Sequence, residues 1–308
     1  MAFRFDALGL GRVVEPPKAL TGGLLHRVFR VDTDRGAYAV KLIDPEVAGR
    51  PGAIDNIENS EGAAAALAGV VPAVAAIAFD GRRVRGIDGR WAVVYPWAEG
   101  ASVFPPDITP AHCAAVGDAL GRMHAANVRA PGIAPEAARM PEIDWPGLLM
   151  KAPAARWRTR IESALPDLMR WSDAARVAEG RLSDPPVLSH RDLDPKNVLW
   201  QGLSPRLIDW EAAGYVNPQR ELLEVLLYWA DDGKGGLALC NAEALLTAYR
   251  RHMPAGGDWS DVIAAGRANH LEWLAHSVRQ ASEEQVLRTL DALERYGENA
   301  RRLIEILS

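Results

Sequence analysis

His190-Arg191-Asp192-Leu193-Asp194-Pro195-Lys196-Asn197-Val198-Leu199, followed by Leu207-Ile208-Asp209-Trp210, is the stretch that decides the reading of this chain. It sets Asp192 and Asn197 five residues apart, and Asp209 twelve positions after Asn197. Pro195 restricts the backbone between the first two, so the loop is stiff. Val198-Leu199-Trp200 and Arg206-Leu207-Ile208 read as short strands, with Gln201-Gly202-Leu203-Ser204-Pro205 as the turn between them. Such a hairpin returns Asp209 to the side of Asn197. Taken singly, each residue is ordinary: Asp192 and Asn197 as loop caps, Asp209 as a helix cap. Taken jointly, they supply what phosphoryl transfer from a nucleotide requires. Asp192 can orient and deprotonate an attacking hydroxyl, while Asn197 and Asp209 offer hard oxygens to hold magnesium on the phosphates.

The two strings resemble the catalytic and metal loops of the aminoglycoside phosphotransferase and choline kinase-like family, whose usual forms are close to H-G-D-x-x-x-x-N and I-D-[FW]. The resemblance implies Asp192 as catalytic base and Asn197 and Asp209 as magnesium ligands. It also implies an α+β, two-lobed protein-kinase-like fold. Residues 1–98 would form a small antiparallel β-sheet N-lobe that binds the nucleotide. Residues 99–308 would form a larger, mainly helical C-lobe with the catalytic loop and the acceptor site. ATP, or GTP in its place, would lie between the lobes with Mg2+.

The N-terminal third carries parts of such a nucleotide site in the matching order. Leu20 to Val31 reads as a glycine turn entering a strand, and paired Gly22 and Gly23 allow a close backbone approach to phosphates. Gly-Gly is also common in plain hairpin turns. Tyr38-Ala39-Val40-Lys41-Leu42-Ile43 reads as the next strand. Lys41 is either a solvent-facing strand lysine or, as the resemblance implies, the contact to the α and β phosphates. A lysine taken into an apolar setting needs a carboxylate partner. Ile54 to Leu67 is helix-like, and Glu58 and Glu61 lie three apart on one face. The resemblance assigns the partner role to a Glu of this helix; Glu61 is our choice and Glu58 the second. Gly62 to Phe79 is an apolar run broken by Gly69 and Pro72, which reads as a helix end and a strand rather than a membrane span. Trp91 to Trp97 is an apolar strand, and the resemblance makes Val94, Tyr95, Pro96 and Trp97 the connection whose backbone holds the adenine.

Beyond Gly100 the pattern is helical. Thr109 to Ala126 is one helix, carrying His124 as a packing histidine. Ile143 to Arg181 reads as two helices, and Glu221–Ala230, Ala242–His252, Ile263–Ala281 and Gln285–Leu307 follow. Hydrophobic residues at 48% and charged residues at 24% suit a soluble globular protein. A net charge of −5 supplies no basic footprint for nucleic acid. Cys113 and Cys240 are too few and too far apart for a zinc site or a disulfide framework, and both read as buried thiols. The N-terminus lacks a basic stretch leading into an apolar one, so the expected location is the cytoplasm. The expected partner is a small hydroxylated acceptor, with no nucleic acid and no membrane, acting on a monomer or homodimer.

Several residues depart from the resembled pattern. Arg191 stands where Gly is usual, as in the His-Arg-Asp string of protein kinases. Asp209-Trp210-Glu211 replaces Asp-Phe-Gly and no Ala-Pro-Glu string follows, so the platform for a polypeptide substrate is missing. Lys196 is either a solvated loop lysine or a contact to the transferred phosphate. Glu221 falls near where an Asp usually braces the catalytic loop. Glu211 is a candidate metal or acceptor contact, and Asp231, Asp232 and Glu272 are candidate acceptor contacts, since acids would suit an amino sugar or polyamine. Each is equally readable as a surface carboxylate. Trp210 reads as packing behind the loop, and Trp229 and Trp273 as core or as sugar-stacking rings. The resemblance makes an aminoglycoside or related aminated antibiotic the leading acceptor, which would make the chain an antibiotic-resistance enzyme. A metabolic alcohol such as a sugar, choline or homoserine is the alternative. A protein kinase and a non-catalytic nucleotide-binding module are the remaining readings.

Overall fold

The computed structural model describes residues 3–20, 26–136, 139–152, 156–182, 184–256 and 259–307. Along the chain the elements are β1 (Lys18–Ala19), β2 (Arg27–Thr33), β3 (Gly36–Leu42), α1 (Pro45–Ala48), α2 (Ala53–Leu67), β4 (Val84–Ile87), β5 (Arg90–Pro96) and α3 (Pro110–Ala125). There follow α4 (Trp145–Lys151), α5 (Arg158–Glu179), β6 (Val187–Ser189), β7 (Val198–Gln201), β8 (Ser204–Leu207), β9 (Gly214–Val216) and α6 (Pro218–Trp229). The chain closes with α7 (Leu239–Tyr249), α8 (Ser260–Gly266), α9 (Ala268–Arg279) and α10 (Glu283–Leu307).

These elements gather into two compact units, each assembled from separated pieces of chain. Met1–Val103, Arg122–Pro135 and Leu188–Gly214 make the first; Phe104–Gly121, Glu136–Val187 and Tyr215–Ser308 make the second. A boundary near residue 98 thus lies close to one of several crossings. The catalytic loop, expected with the helical lobe, packs within the first unit.

In the first unit the strands form one sheet of order β1-β2-β3-β5-β4 with antiparallel neighbours. Successive side chains on a strand face opposite ways. Val40 and Leu42 therefore share one core with Val31, Ala92, Val94 and the N-terminal Leu8 and Leu10. Ala39 and Ile43 share the other with Val93, Tyr95 and Ile57 of α2. Lys41 belongs to this second face, paired in register with Val93, and is buried there. Helix α2 begins after Gly52 and carries Asp55 in its first turn, where a negative charge favours the helix dipole. It buries Ile57, Glu61, Ala64 and Leu67, the spacing of a single helical face.

The apolar run 62–79 ends α2 at Leu67 as expected, but it holds no strand. It is an extended segment with isolated bridges from Ala73 to Leu207 and from Phe79 to Arg82, and with Val74 and Ile77 amides on the Leu207 and Val94 carbonyls, each at 2.8 Å. Pro72 lacks an amide and cannot extend a ladder there. Among the described residues no helix is long and apolar enough to cross a membrane.

The second unit is helical. Trp145, Trp157, Ile161, Leu168, Leu271 and Leu290 are part of its core, and the apolar face of α10 packs there through Val286, Leu290 and Leu293. The helix expected over 263–281 is two, α8 and α9, meeting at Arg267. Arg220 and Glu179 form a buried ion pair at 2.8 Å. Cys113 is buried as expected, whereas Cys240 is exposed near the start of α7.

Candidate active site

The loop from His190 to Asn197 is held by local bonds before any distant residue takes part. Asp194 caps the short turn Pro195–Asn197, accepting the Lys196 amide at 2.8 Å, and Pro195 fits its first position. His190 is fully buried against Trp210, with ring centroids 4.5 Å apart, and its Nε2 lies 2.9 Å from the Ile208 carbonyl oxygen. That contact ties the start of the loop to the strand end that carries Asp209. Trp210 is itself buried and donates to the Leu207 carbonyl at 3.0 Å, so it is packing, as expected. Arg191 adopts φ +63°, a conformation glycine takes without strain, which is the physical reason a glycine suits this position. Its guanidinium passes over Gly214, where a Cβ would come within 2.9 Å of Nη1.

The hairpin β7–β8 pairs Val198 with Leu207 and Gln201 with Ser204, a tighter turn than the sequence suggested. Its ends meet where the Ile208 amide donates to the Asn197 carbonyl at 2.9 Å. Asp209 follows in the left-handed region at φ +59°. Asn197 is buried and donates its Nδ2 to the Asp192 backbone oxygen at 2.8 Å and to Asp192 Oδ2 at 2.9 Å. Lys196 is not a free solvated lysine: its Nζ lies 3.2 Å from both Asp192 carboxylate oxygens. Burial pushes the Asp192 carboxyl up, with the Lys196 charge opposing it. Lys196 is itself raised, since Asp192 and Asp194 outweigh the effect of its burial.

Lys41 arrives from the sheet. Its Nζ donates to Asp209 Oδ1 at 2.7 Å and to Glu211 Oε2 at 3.2 Å. Burial alone would favour a neutral amine, yet these two carboxylates hold its affinity for the proton above the ordinary lysine value. Glu61, the expected partner, bonds elsewhere: its Oε1 accepts the Tyr95 hydroxyl, and the Ala76 backbone makes a weaker contact with the carboxylate. Burial pushes the Glu61 carboxyl up to about 7, against the Tyr95 bond and the Lys41 charge. The ion pair with Lys41 therefore goes to Asp209 and Glu211, because those carboxylates keep partial solvent contact while Glu61 would have to ionise in the core. Glu58, the second choice, accepts the Arg83 and Val84 amides at 2.9 Å and so anchors β4.

Two participants carry no signal in the sequence. His26 is buried and reaches Glu211 Oε1 through Nε2 at 3.0 Å, while the Asp44 amide donates to its Nδ1 at 3.0 Å. Burial would raise the Glu211 carboxyl, but the His26 bond and the Lys41 charge hold it down at about 2. Tyr95 acts through its side chain on Glu61, where only its backbone was considered. Of the expected adenine contacts, the Val94 carbonyl accepts the Ile77 amide and the Trp97 amide donates to Ala37, at 2.8 and 3.1 Å. Gly22 and Gly23 lie outside the described residues.

The donor set suits a hard divalent cation. Asn197 is bound through its nitrogen, so the amide oxygen lies outside that bond, and the Asp209 side chain stays 44% exposed despite Lys41. Among the described residues no group of three or more His, Cys, Asp or Glu could hold a metal. A magnesium here would thus complete its shell from phosphate and water oxygens, which is its usual habit.

In the second unit the acceptor candidates are less open than the sequence implied. Asp231 accepts the Gly233 amide at 2.7 Å, and Asp232 accepts those of Lys234 and Gly236 at 2.8 and 2.9 Å. Glu272 is exposed on α9. Trp229 is core, whereas Trp273 is 40% exposed and stacks on His276. Glu221 is buried in α6, and His124 in α3.

Comparison with known proteins places the chain in a family. The chain is 31% identical to a homoserine kinase of Gluconacetobacter diazotrophicus over 207 residues, 62% of this chain and 60% of that protein. A spectinomycin phosphotransferase in complex with ADP and spectinomycin superposes with a TM-score of 0.66 at 15% identity, covering 98% of this chain and 96% of that one. An amicoumacin kinase bound to AMP-PNP and Ca2+ gives 0.66 at 17% identity over 94% and 91%. These two share the protein-kinase-like α+β fold with this chain. Residues 17–255, which span every site residue from His26 to Glu211, match the phosphotransferase enzyme family (APH), and the chain belongs to that family.

Proposed function

We propose that this protein is a magnesium- and ATP-dependent O-phosphotransferase for a small hydroxylated molecule. The observation that carries the reading is the Lys41–Asp209 contact at 2.7 Å, made beside a loop on which Asn197 holds Asp192. Asp192 takes the proton of the acceptor hydroxyl. The oxygen then bonds to the γ-phosphorus as the bond to the β–γ bridging oxygen breaks, and ADP leaves. Lys41 holds the α and β phosphates. Asn197 and Asp209 would hold Mg2+, which offsets the charge gathering on the phosphate oxygens. Such an enzyme works in the cytoplasm, where ATP is supplied.

For the acceptor we favour a metabolic alcohol of the homoserine type. Three of the four carboxylates that would greet a polycation are engaged, Glu211 by His26 and Lys41 and Asp231 and Asp232 by turn amides, while Glu272 is exposed. The 31% identical relative carries the name homoserine kinase, which supports the same choice. An aminoglycoside or related antibiotic is the second reading, supported by the resemblance of the fold to the spectinomycin enzyme. Measuring ADP release across homoserine, choline, amino sugars, spectinomycin and aminoglycosides tests both. Turnover on homoserine alone is the expected outcome. Turnover confined to antibiotics reverses the choice, and none on any acceptor ends the reading.

A further inference from the structure

We propose that His26 is a positioning residue for the phosphate-holding Lys41, acting through Glu211. The inference rests on the nucleotide role proposed for Lys41 and names a residue that this role does not require. Three bonds carry it. The Asp44 backbone amide, which can only donate, points at His26 Nδ1 from 3.0 Å. Nδ1 must therefore hold a lone pair, and the ring proton sits on Nε2. Nε2 then donates to Glu211 Oε1 at 3.0 Å, and the other oxygen of that carboxylate accepts Lys41 at 3.2 Å.

The arrangement solves an electrostatic problem. Asp209 and Glu211 carry like charges and share one ammonium. The Glu211 side chain is 33% exposed, so on its own it would gain by turning into water, where a half-open ion pair is worth little. The His26 side chain is only 5% exposed, and its ring is fixed at both nitrogens. It gives Glu211 a second, rigid donor and keeps it against Lys41. The ammonium is thus held by two carboxylates, and it would retain Glu211 if a metal ion drew Asp209 toward itself.

Two substitutions separate the two bonds. His26→Asn keeps an acceptor near Nδ1 for the Asp44 amide but cannot donate to Glu211. His26→Gln places an amide N–H about as far out as Nε2 and can donate. The measurement is the Kd of Mg-ATP by calorimetry, with the melting temperature of each variant. His26→Asn is expected to weaken ATP about tenfold, the size of one hydrogen bond to a charged group, with a near-normal melting temperature. His26→Gln is expected to bind within about threefold of the parent protein, a small fraction of that bond's worth. In a Glu211→Gln background the His26→Asn effect should vanish. Unchanged ATP affinity in His26→Asn, or an undiminished effect in the Glu211→Gln background, overturns the proposal. Should His26→Asn fail to fold, His26→Ala takes its place: weakened Mg-ATP binding that His26→Gln restores supports the role, and unchanged affinity at a near-normal melting temperature refutes it. Because the readout is nucleotide binding, a parent protein that binds ATP and phosphorylates nothing would sink the proposed activity while leaving this result standing.

Discussion

Replacing Glu61 by Gln should make the protein more stable at neutral pH than the parent, and by an amount that grows with pH. Glu61 is 1% exposed, and its carboxyl is held by the Tyr95 hydroxyl and a weaker contact with the Ala76 backbone. Burial lifts its carboxyl from an ordinary 4.5 to about 7. A carboxyl whose proton is held more tightly when folded contributes stability that is fully present below pH ~4.5 and lost as pH rises through ~7. Each tenfold change in proton affinity is worth about 1.4 kcal/mol, so the whole effect is about 3 kcal/mol. A glutamine keeps the shape and the Tyr95 contact but has no proton to lose. The difference between the two proteins should therefore open from about 1 kcal/mol at pH 5 to about 3 kcal/mol at pH 8. In melting temperature that is roughly 5–10 °C at the upper end. Calorimetric melts of both proteins from pH 5 to 8 check it. Parallel pH curves would refute the reasoning, since they would mean that Glu61 ionises in the core without penalty, or lies paired with Lys41 in solution.

The remaining expectations concern the chemistry. Asp192→Ala should lower turnover by roughly two to four orders of magnitude while nucleotide binding is largely kept, measured by steady-state kinetics beside calorimetry; an unchanged rate removes Asp192 from the base role. Asp209→Ala should weaken the magnesium dependence of ATP binding, read from titrations with and without the ion, and an identical dependence would count against Asp209 as a ligand.

Much of this was legible in the residues. The loop from His190 to Asn197 and its hairpin are local structures: Asp194 and Pro195 shape a turn with bonds to their own neighbours, and β7 and β8 pair across a short connection. The residues left Lys41 open between a solvent-facing lysine and a phosphate contact, and Glu61 open beside Glu58; in the fold both Lys41 and Glu61 are buried. Less was legible where the answer depended on competition. Pro72 kept an apolar segment from becoming a strand, and the exposure of Cys240 depended on how α7 packs. The division into residues 1–98 and 99–308 missed that residues 122–135 and 188–214 pack with the first unit.

The sequence by itself determined which side chains could do phosphoryl chemistry, because Asp192, Asn197 and Asp209 are spaced by short-range geometry that a few residues specify. Only the tertiary structure decided which charges pair. Lys41 meets Asp209 and Glu211 from 168 and 170 positions away, His26 meets Glu211 across 185, and Glu61 turns to Tyr95 instead. Such choices are settled by weighing desolvation against Coulomb attraction at each carboxylate, and desolvation exists only once the surrounding core has formed.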